Sequence, residues 1–304
     1  MPKIAVLVPC FNEALAISTV VEDFKNKLPS AEIYVYDNTS TDNTAELASK
    51  SGAVVRLVKK RGKGNVVRLM FSEIEAHIYV LIDGDNTYCV DDVVPMIKKF
   101  VENRADMLVG TRVSQSTTAF RPGHLFGNWA LTKTVNILFN ANATDMLSGY
   151  RLFSRRFVKS FPARASGFDL ETELTVHSLN LKLPIYEYET KYVDRPMGSN
   201  SKLSTFRDGI VILLRILRLF LSERPMMLFA IMGVIALSAS VYLAFPLLET
   251  FINTGQVPRV PTAVLSAALA LLSFLLICCG IILNAICELQ RETKYILFLN
   301  SSGK

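Results

Sequence analysis

Two aspartates separated by one glycine, Asp83-Gly84-Asp85, follow directly on Tyr79-Val80-Leu81-Ile82. Four apolar, β-prone residues running into an acidic turn predict a buried strand whose carboxyl end carries two carboxylates. In an open α/β sheet, ligands gather at the carboxyl ends of strands. Two carboxylates held that close repel each other unless a cation or a hydrogen-bond donor stands between them. A hard divalent ion such as Mg²⁺ or Mn²⁺ meets that need, because it takes one or two carboxylates and completes its shell with phosphate oxygens and water. Asp83 and Asp85 are therefore the candidate metal ligands. Taken alone, Asp-X-Asp is also an ordinary polar turn, so its surroundings must decide.

Those surroundings are charged in a particular way. Asp37 follows an earlier predicted strand, and Arg112, Arg121, Arg151, Arg195 and Lys202 lie in later predicted loops. A metal neutralises a diphosphate, and guanidinium groups clamp a phosphate through two parallel hydrogen bonds. Acids with a metal on one side and arginines on the other suit two phosphate-bearing ligands. The basic loop Arg61-Gly62-Lys63-Gly64-Asn65 lacks the GxxxxGK[ST] spacing, which argues against an ATP-hydrolysing P-loop. A nucleotidyltransferase would need a glycine-rich phosphate loop near the N-terminus, which Pro9 to Glu13 does not supply. His77, His124 and His177 are scattered and are expected to be structural or at the surface. Glu171 and Glu173 are either a dipole-compensating pair at a helix start or ligand contacts. Trp129 is expected in the core.

The elements that must position these residues alternate. Strands are predicted at Ile4–Val8, Ile33–Tyr36, Val54–Val58 and Ile78–Ile82, with helices at Leu15–Lys27, Ala45–Ser51 and Val66–Ala76 between them. That β-α-β-α-β-α-β order implies a mostly parallel sheet covered by helices. Further helices are expected over 91–103, 129–139 and 171–180, and strands over 107–110, from Phe153 onward, and over 185–193.

The chain has 304 residues, half of them hydrophobic, with net charge +6. Its mean hydropathy is +0.31 and its pI about 9.0. The apolar excess is concentrated near the C-terminus. Met226–Leu248 and Thr262–Cys287 are uncharged runs of 23 and 26 residues, each longer than the roughly 20 a helix needs to cross a bilayer. Before them, residues 205–222 place Arg207, Asp208, Arg215 and Arg218 on one helical face and Ile210, Leu213, Leu217, Phe220 and Leu221 on another, the pattern of an interfacial helix. Basic residues flank the spans on their outer ends, which puts both termini in the cytoplasm. The positive charge beside apolar segments points to an anionic membrane surface, and no nucleic-acid-binding signature accompanies it. Five cysteines without a CxxC pair make neither a disulfide nor a zinc framework. The first residues do not read as a signal peptide.

The motifs taken together resemble a family 2 glycosyltransferase of the GT-A fold, of the kind that acts on polyprenyl phosphates. They are Val8-Pro9-Cys10-Phe11-Asn12-Glu13, Asp37-Asn38-Thr39-Ser40-Thr41-Asp42, Arg61-Gly62-Lys63-Gly64, Asp83-Gly84-Asp85, Gly110-Thr111-Arg112, Ser148-Gly149-Tyr150-Arg151, Glu171-Thr172-Glu173 and the run from Arg195 to Ser201-Lys202-Leu203. They occupy the first 203 residues in the order the family uses. The resemblance implies a GT-A catalytic domain over 1–203, an interfacial helix over 204–225, a two-helix transmembrane anchor over 226–290 and a cytoplasmic tail over 291–304. It implies that Pro9, Glu13, Asp37 and Lys63 hold a nucleotide sugar, that Asp83 and Asp85 serve Mg²⁺ or Mn²⁺ and the diphosphate, and that Arg112, Arg121, Arg195 and Lys202 receive the lipid phosphate. The expected reaction is inverting transfer of a sugar, from UDP rather than GDP, to undecaprenyl or dolichyl phosphate in the cell membrane. Anchored enzymes of this kind can assemble through their spans, so a homo-oligomer is one expected form. Two departures stand out. Thr87 replaces a glutamine that contacts metal in some relatives, and Asn38 replaces an aspartate. The alternatives are a processive polysaccharide synthase, whose Gln-x-x-Arg-Trp motif is absent, and a membrane-tethered protein that binds nucleotide sugar without turnover.

Overall fold

The computed structural model describes residues 2–114, 124–139, 141–162, 167, 169–193, 195 and 205–301. The chain divides into two compact units, one of residues 1–216 with 294–304 and one of residues 217–293.

The first unit is built on a seven-stranded sheet in the order β3-β2-β1-β4-β6-β5-β7. Its strands are β1 (Ile4–Cys10), β2 (Glu32–Asp37), β3 (Val54–Leu57), β4 (Ile78–Leu81), β5 (Met107–Ser114), β6 (Arg151–Ser154) and β7 (Ile185–Tyr192). Between them run α1 (Ile17–Lys27), α2 (Thr44–Lys50), α3 (Lys63–Glu73), α4 (Val93–Glu102), α5 (His124–Phe139), α6 (Arg155–Ser160) and α7 (Leu170–Asn180). The expected mostly parallel α/β architecture is present. β6 is the exception and pairs antiparallel with both β4 and β5.

Alternation along the central strands builds two cores. Ala5, Leu7, Tyr79 and Leu81 face α3, α6 and α7 through Val67, Met70, Phe71, Phe157 and Leu174. Val6, Val8, Ile78 and Val80 face α1 and α4 through Ile17, Val21, Phe24, Val93 and Met96. Both faces are covered, so β1 and β4 read as unbroken apolar runs. The predicted third helix begins earlier than its apolar pattern suggested. It starts at Lys63, because Gly62 adopts φ +114° and lets the basic loop turn directly into the helix. His177 is structural, as expected: it is buried, lies 3.2 Å from Ser160 Oγ and packs on Phe157 and Phe161. Burial, with Lys294 nearby, pushes its imidazole down to about 3.

The first unit also contains the chain's last residues. Phe298 is buried beneath the Arg156 guanidinium at 4.7 Å, and Arg155 Nη1 donates to the Ser301 carbonyl at 3.0 Å.

Helix α8 (Thr205–Glu223) buries Ile212 and Ile216. Ile210, Leu213, Leu214 and Leu221 are exposed. Among the described residues, α9 (Pro225–Thr254) and α10 (Val260–Asn300) are the two helices long and apolar enough to cross a membrane. Within the second unit, small residues let them pack closely. Ser273 Oγ donates to the Gly233 carbonyl, and Ser240 Oγ to that of Ser266. A Cβ added at Gly280 would lie 2.9 Å from Phe229 Cβ.

Candidate active site

Strand direction assembles the site. β2 and β4 both run parallel to β1, β7 runs parallel to β5, and β6 opposes both β4 and β5. The carboxyl ends of β1, β2, β4, β5 and β7 therefore share one rim. The start of antiparallel β6 reaches the same rim. β1 lies between β2 and β4, where the strand order reverses, and such a switch point leaves a crevice beyond the strand ends. A cavity of about 400 Å³ opens there. Pro9, Glu13, Lys63, Asp83, Asp85, Arg112 and Arg195 all line it. Asp37 ends β2 and is buried without lining the cavity. Arg121 and Lys202 lie outside the described residues, as does the side chain of His124.

Each carboxylate of the acidic turn meets a cation of the chain. Lys63 Nζ lies 2.5 Å from Asp83 Oδ1 and 2.5 Å from Glu171 Oε1. Arg195 Nη2 lies 2.5 Å from Asp85 Oδ2. Asp85 Oδ1 accepts from Thr87 Oγ1 at 2.6 Å and from the Thr87 amide at 3.3 Å. Thr87 thus donates to the carboxylate and orients it. Burial, followed by the Asp83 charge, pushes the Asp85 carboxyl up, against the pull of Arg195 and Thr87. Burial would lower the Lys63 ammonium, but Asp83 and Glu171 hold it above the usual lysine range. Glu171 stands at the start of α7, lines the cavity and pairs with Lys63, a role that neither sequence reading named. Gly149 is required where it stands, because a Cβ there would lie 2.2 Å from Asp83 Oδ2.

The donor set fits a hard divalent ion. Asp83 and Asp85 offer carboxylate oxygens that repel each other and are partly withdrawn from water. Among the described residues no group of three or more His, Cys, Asp and Glu converges as a metal cage. A site that offers two carboxylates and leaves the remaining positions to phosphate oxygens and water is the usual arrangement for Mg²⁺.

Arg112 is fixed in place. Its Nε and Nη2 each lie 2.7 Å from an oxygen of Asp145, its amide donates to Asp145 Oδ2 at 3.2 Å, and its guanidinium lies 5.5 Å from the centre of the Tyr192 ring. Burial would raise the Asp145 carboxyl, but Arg112 and Asn128 hold it below the usual carboxylate range. No sequence signal pairs Asp145 with an arginine 33 positions away.

Two expectations are corrected. Arg151, read as a rim residue, is fully buried in β6 and donates to the carbonyls of Ser148 and Met146 and to Thr175 Oγ1. It braces the loop beneath the cavity and does not line it. Trp129, expected in the core, is 55% exposed. α5 buries the stripe Leu131, Val135 and Phe139, spaced by four, and Trp129 falls outside it.

Asn38 has a definite task. Its Nδ2 donates to the carbonyls of Val58 and Lys60, both at 2.9 Å, and its Oδ1 accepts from the Gly62 amide at 2.7 Å. The side chain latches the loop that delivers Lys63. An aspartate would face two carbonyls with no hydrogen to give. Asn38→Asp is expected to destabilise the fold by about 2 kcal/mol and to weaken nucleotide binding. Thermal unfolding and nucleotide titration of the same sample check both.

The family model described as glycosyl transferase family 2 matches residues 5–161. Glycosyltransferase AglJ of Haloferax volcanii is 30% identical over 295 residues, covering 95% of each chain. A protein of the same organism named dolichyl-phosphate hexose transferase is 25% identical, over 73% of this chain and 95% of its own length. Among solved structures, glucosyl-3-phosphoglycerate synthase from Mycobacterium tuberculosis, in complex with Mn²⁺ and UDP-glucose, superposes with a TM-score of 0.55. The match covers 71% of this chain and 79% of that one at 22% identity, a likeness of fold. The motif order, the switch-point cavity and the sequence match agree, and the chain belongs to glycosyltransferase family 2.

Proposed function

We propose that this glycosyltransferase is a membrane-bound inverting enzyme that transfers one sugar from a UDP-sugar to undecaprenyl or dolichyl phosphate. One observation carries the reading: Asp83, Asp85, Lys63, Arg112 and Arg195 line a single cavity at the switch point. The relative named dolichyl-phosphate hexose transferase supports the acceptor class.

The chemistry is a meeting of two anions. A phosphate monoester acceptor is negatively charged at neutral pH and needs no strong base. Its oxygen attacks the anomeric carbon, the bond from that carbon to the diphosphate breaks, and the nucleoside diphosphate leaves from the opposite face. Two unit charges 4 Å apart at an effective dielectric near 20 repel by about 4 kcal/mol. Lys63 and Arg195 offset that repulsion, with Arg121 and Lys202 as further candidates. Arg112 is held rigid by Asp145, so its cationic face needs no reorganisation. Asp83 and Asp85 would hold a Mg²⁺ or Mn²⁺ ion, which when bound supplies positive charge to the departing diphosphate.

A UDP-sugar donor is the choice supported by the synthase of like fold solved with UDP-glucose. Asp37 lies behind the cavity, where its Oδ2 accepts from the Ser40 amide at 3.0 Å and steadies the loop after β2. Pro9 and Glu13 would complete the donor pocket. We assign residues 1–203 to catalysis, 204–225 to an interfacial helix, 226–290 to the anchor and 291–304 to a cytoplasmic tail, with both termini cytoplasmic by the distribution of basic residues.

The test is purified full-length protein in detergent with a panel of UDP- and GDP-sugars, Mg²⁺ or Mn²⁺, and undecaprenyl or dolichyl phosphate. One UDP-sugar is expected to give a polyprenyl phosphosugar and stoichiometric UDP. Turnover with no polyprenyl phosphate, but with another acceptor, would overturn the acceptor assignment.

A further inference from the structure

The two cations at the acidic turn are held differently. Lys63 is wedged between Asp83 and Glu171, and only 11% of its side chain is exposed. Arg195 comes from the segment beyond β7, and 27% of its side chain is exposed where it meets Asp85 Oδ2. The other oxygen of Asp85 is already engaged by Thr87. Oδ2 is therefore the Asp85 oxygen turned toward a cation, and a guanidinium occupies it. A divalent ion and a guanidinium cannot share that oxygen, because like charges at such a distance in a shielded site repel strongly.

We propose that Arg195 is a placeholder cation: it neutralises Asp85 while the donor site is empty and yields Oδ2 when a divalent ion binds with a nucleoside diphosphate. The inference rests on the metal-site reading above. The released guanidinium keeps its charge and its forked donors, which match a phosphate monoester. The two binding events are thereby ordered. Before the donor arrives, Arg195 is committed to a carboxylate and is a poor receptor for phosphate. Afterwards it becomes available to the acceptor in the same cavity. Lys63 does not take part in this exchange, since leaving its place would strip the cation from half-buried Asp83 and buried Glu171 at once.

The placeholder role predicts how Mn²⁺ alone binds in the absence of any nucleotide. Free Mn²⁺ is followed by electron paramagnetic resonance during titration of the full-length protein in detergent. Arg195→Gln is expected to bind Mn²⁺ about 10-fold tighter than the wild type, and Arg195→Lys, which keeps the charge, to stay near the wild type. Adding UDP should tighten Mn²⁺ binding in the wild type and shrink its difference from Arg195→Gln. Equal or weaker Mn²⁺ binding by Arg195→Gln without UDP overturns the proposal. The double variant Asp85→Asn with Arg195→Gln separates the two levels of the argument. Loss of Mn²⁺ in that protein supports Asp85 as the metal ligand, whereas unchanged tight binding means that the metal assignment itself is wrong. UDP binding by each variant reports whether the donor site is still folded.

Discussion

Replacing Asp85 with alanine lowers glycosyl transfer by at least about 1000-fold, or roughly 4 kcal/mol of transition-state stabilisation, while leaving the protein folded. The two effects separate because Asp85 serves charge and not packing. It is 4% exposed, close to Asp83 and pushed toward its protonated form by burial. Its removal relieves a desolvation cost, and the half-exposed Arg195 can turn to solvent. Melting temperature should be unchanged or slightly higher, the usual relation at a site where function is maintained against stability. Steady-state transfer and thermal unfolding on one preparation check the pair. Retained transfer, or collapse of the fold, would count against the role proposed for this carboxylate.

Asp145→Ala has the opposite character. It removes the acid that holds Arg112 through two 2.7 Å bonds and leaves a largely buried guanidinium without its carboxylate. Breaking a buried pair by deleting one partner costs about 3 to 5 kcal/mol. The variant is expected to unfold at markedly lower temperature or denaturant concentration, and to lose activity as Arg112 shifts. Acid sensitivity follows with a definite sign. The Asp145 carboxyl is held below its unfolded value, so its contribution to stability is complete above about pH 4 and is lost as pH falls through the lower folded value. Removing Asp145 should flatten that part of the stability profile. A variant as stable as the wild type, with the same acid limb, would show that the pair carries no net stability.

These two residues also mark how far the chain could be read. Asp85 was legible because an apolar run breaking into Asp-Gly-Asp is a local pattern, and strand ends are where ligands sit. Pro9, Glu13 and Lys63 entered through the family resemblance, whereas the β-α alternation, the two apolar C-terminal helices and the placement of Asp83, Arg112 and Arg195 on one rim were legible in the same way as Asp85. Each depends on periodicity or on residues within a few positions of one another. Asp37 was legible as a strand-end acid, but not its burial behind the cavity.

Asp145, Arg151 and Asn38 were not legible in the same way. Pairing of Arg112 with Asp145 depends on how β5 and the segment before β6 meet, and β6 enters the sheet antiparallel against an otherwise parallel pattern. That insertion also carries Arg151 under the site, where it serves backbone carbonyls. Asn38 stands out in the sequence only as a replacement for an aspartate, and the fold puts its amide to work holding the basic loop. Trp129 is exposed because α5 turns a different stripe inward. Local patterns in the chain specify which groups reach the rim, because strand and helix periods act over a few residues. Which of those groups pair with each other depends on crossings between distant segments, and such contacts leave no periodic trace in the chain.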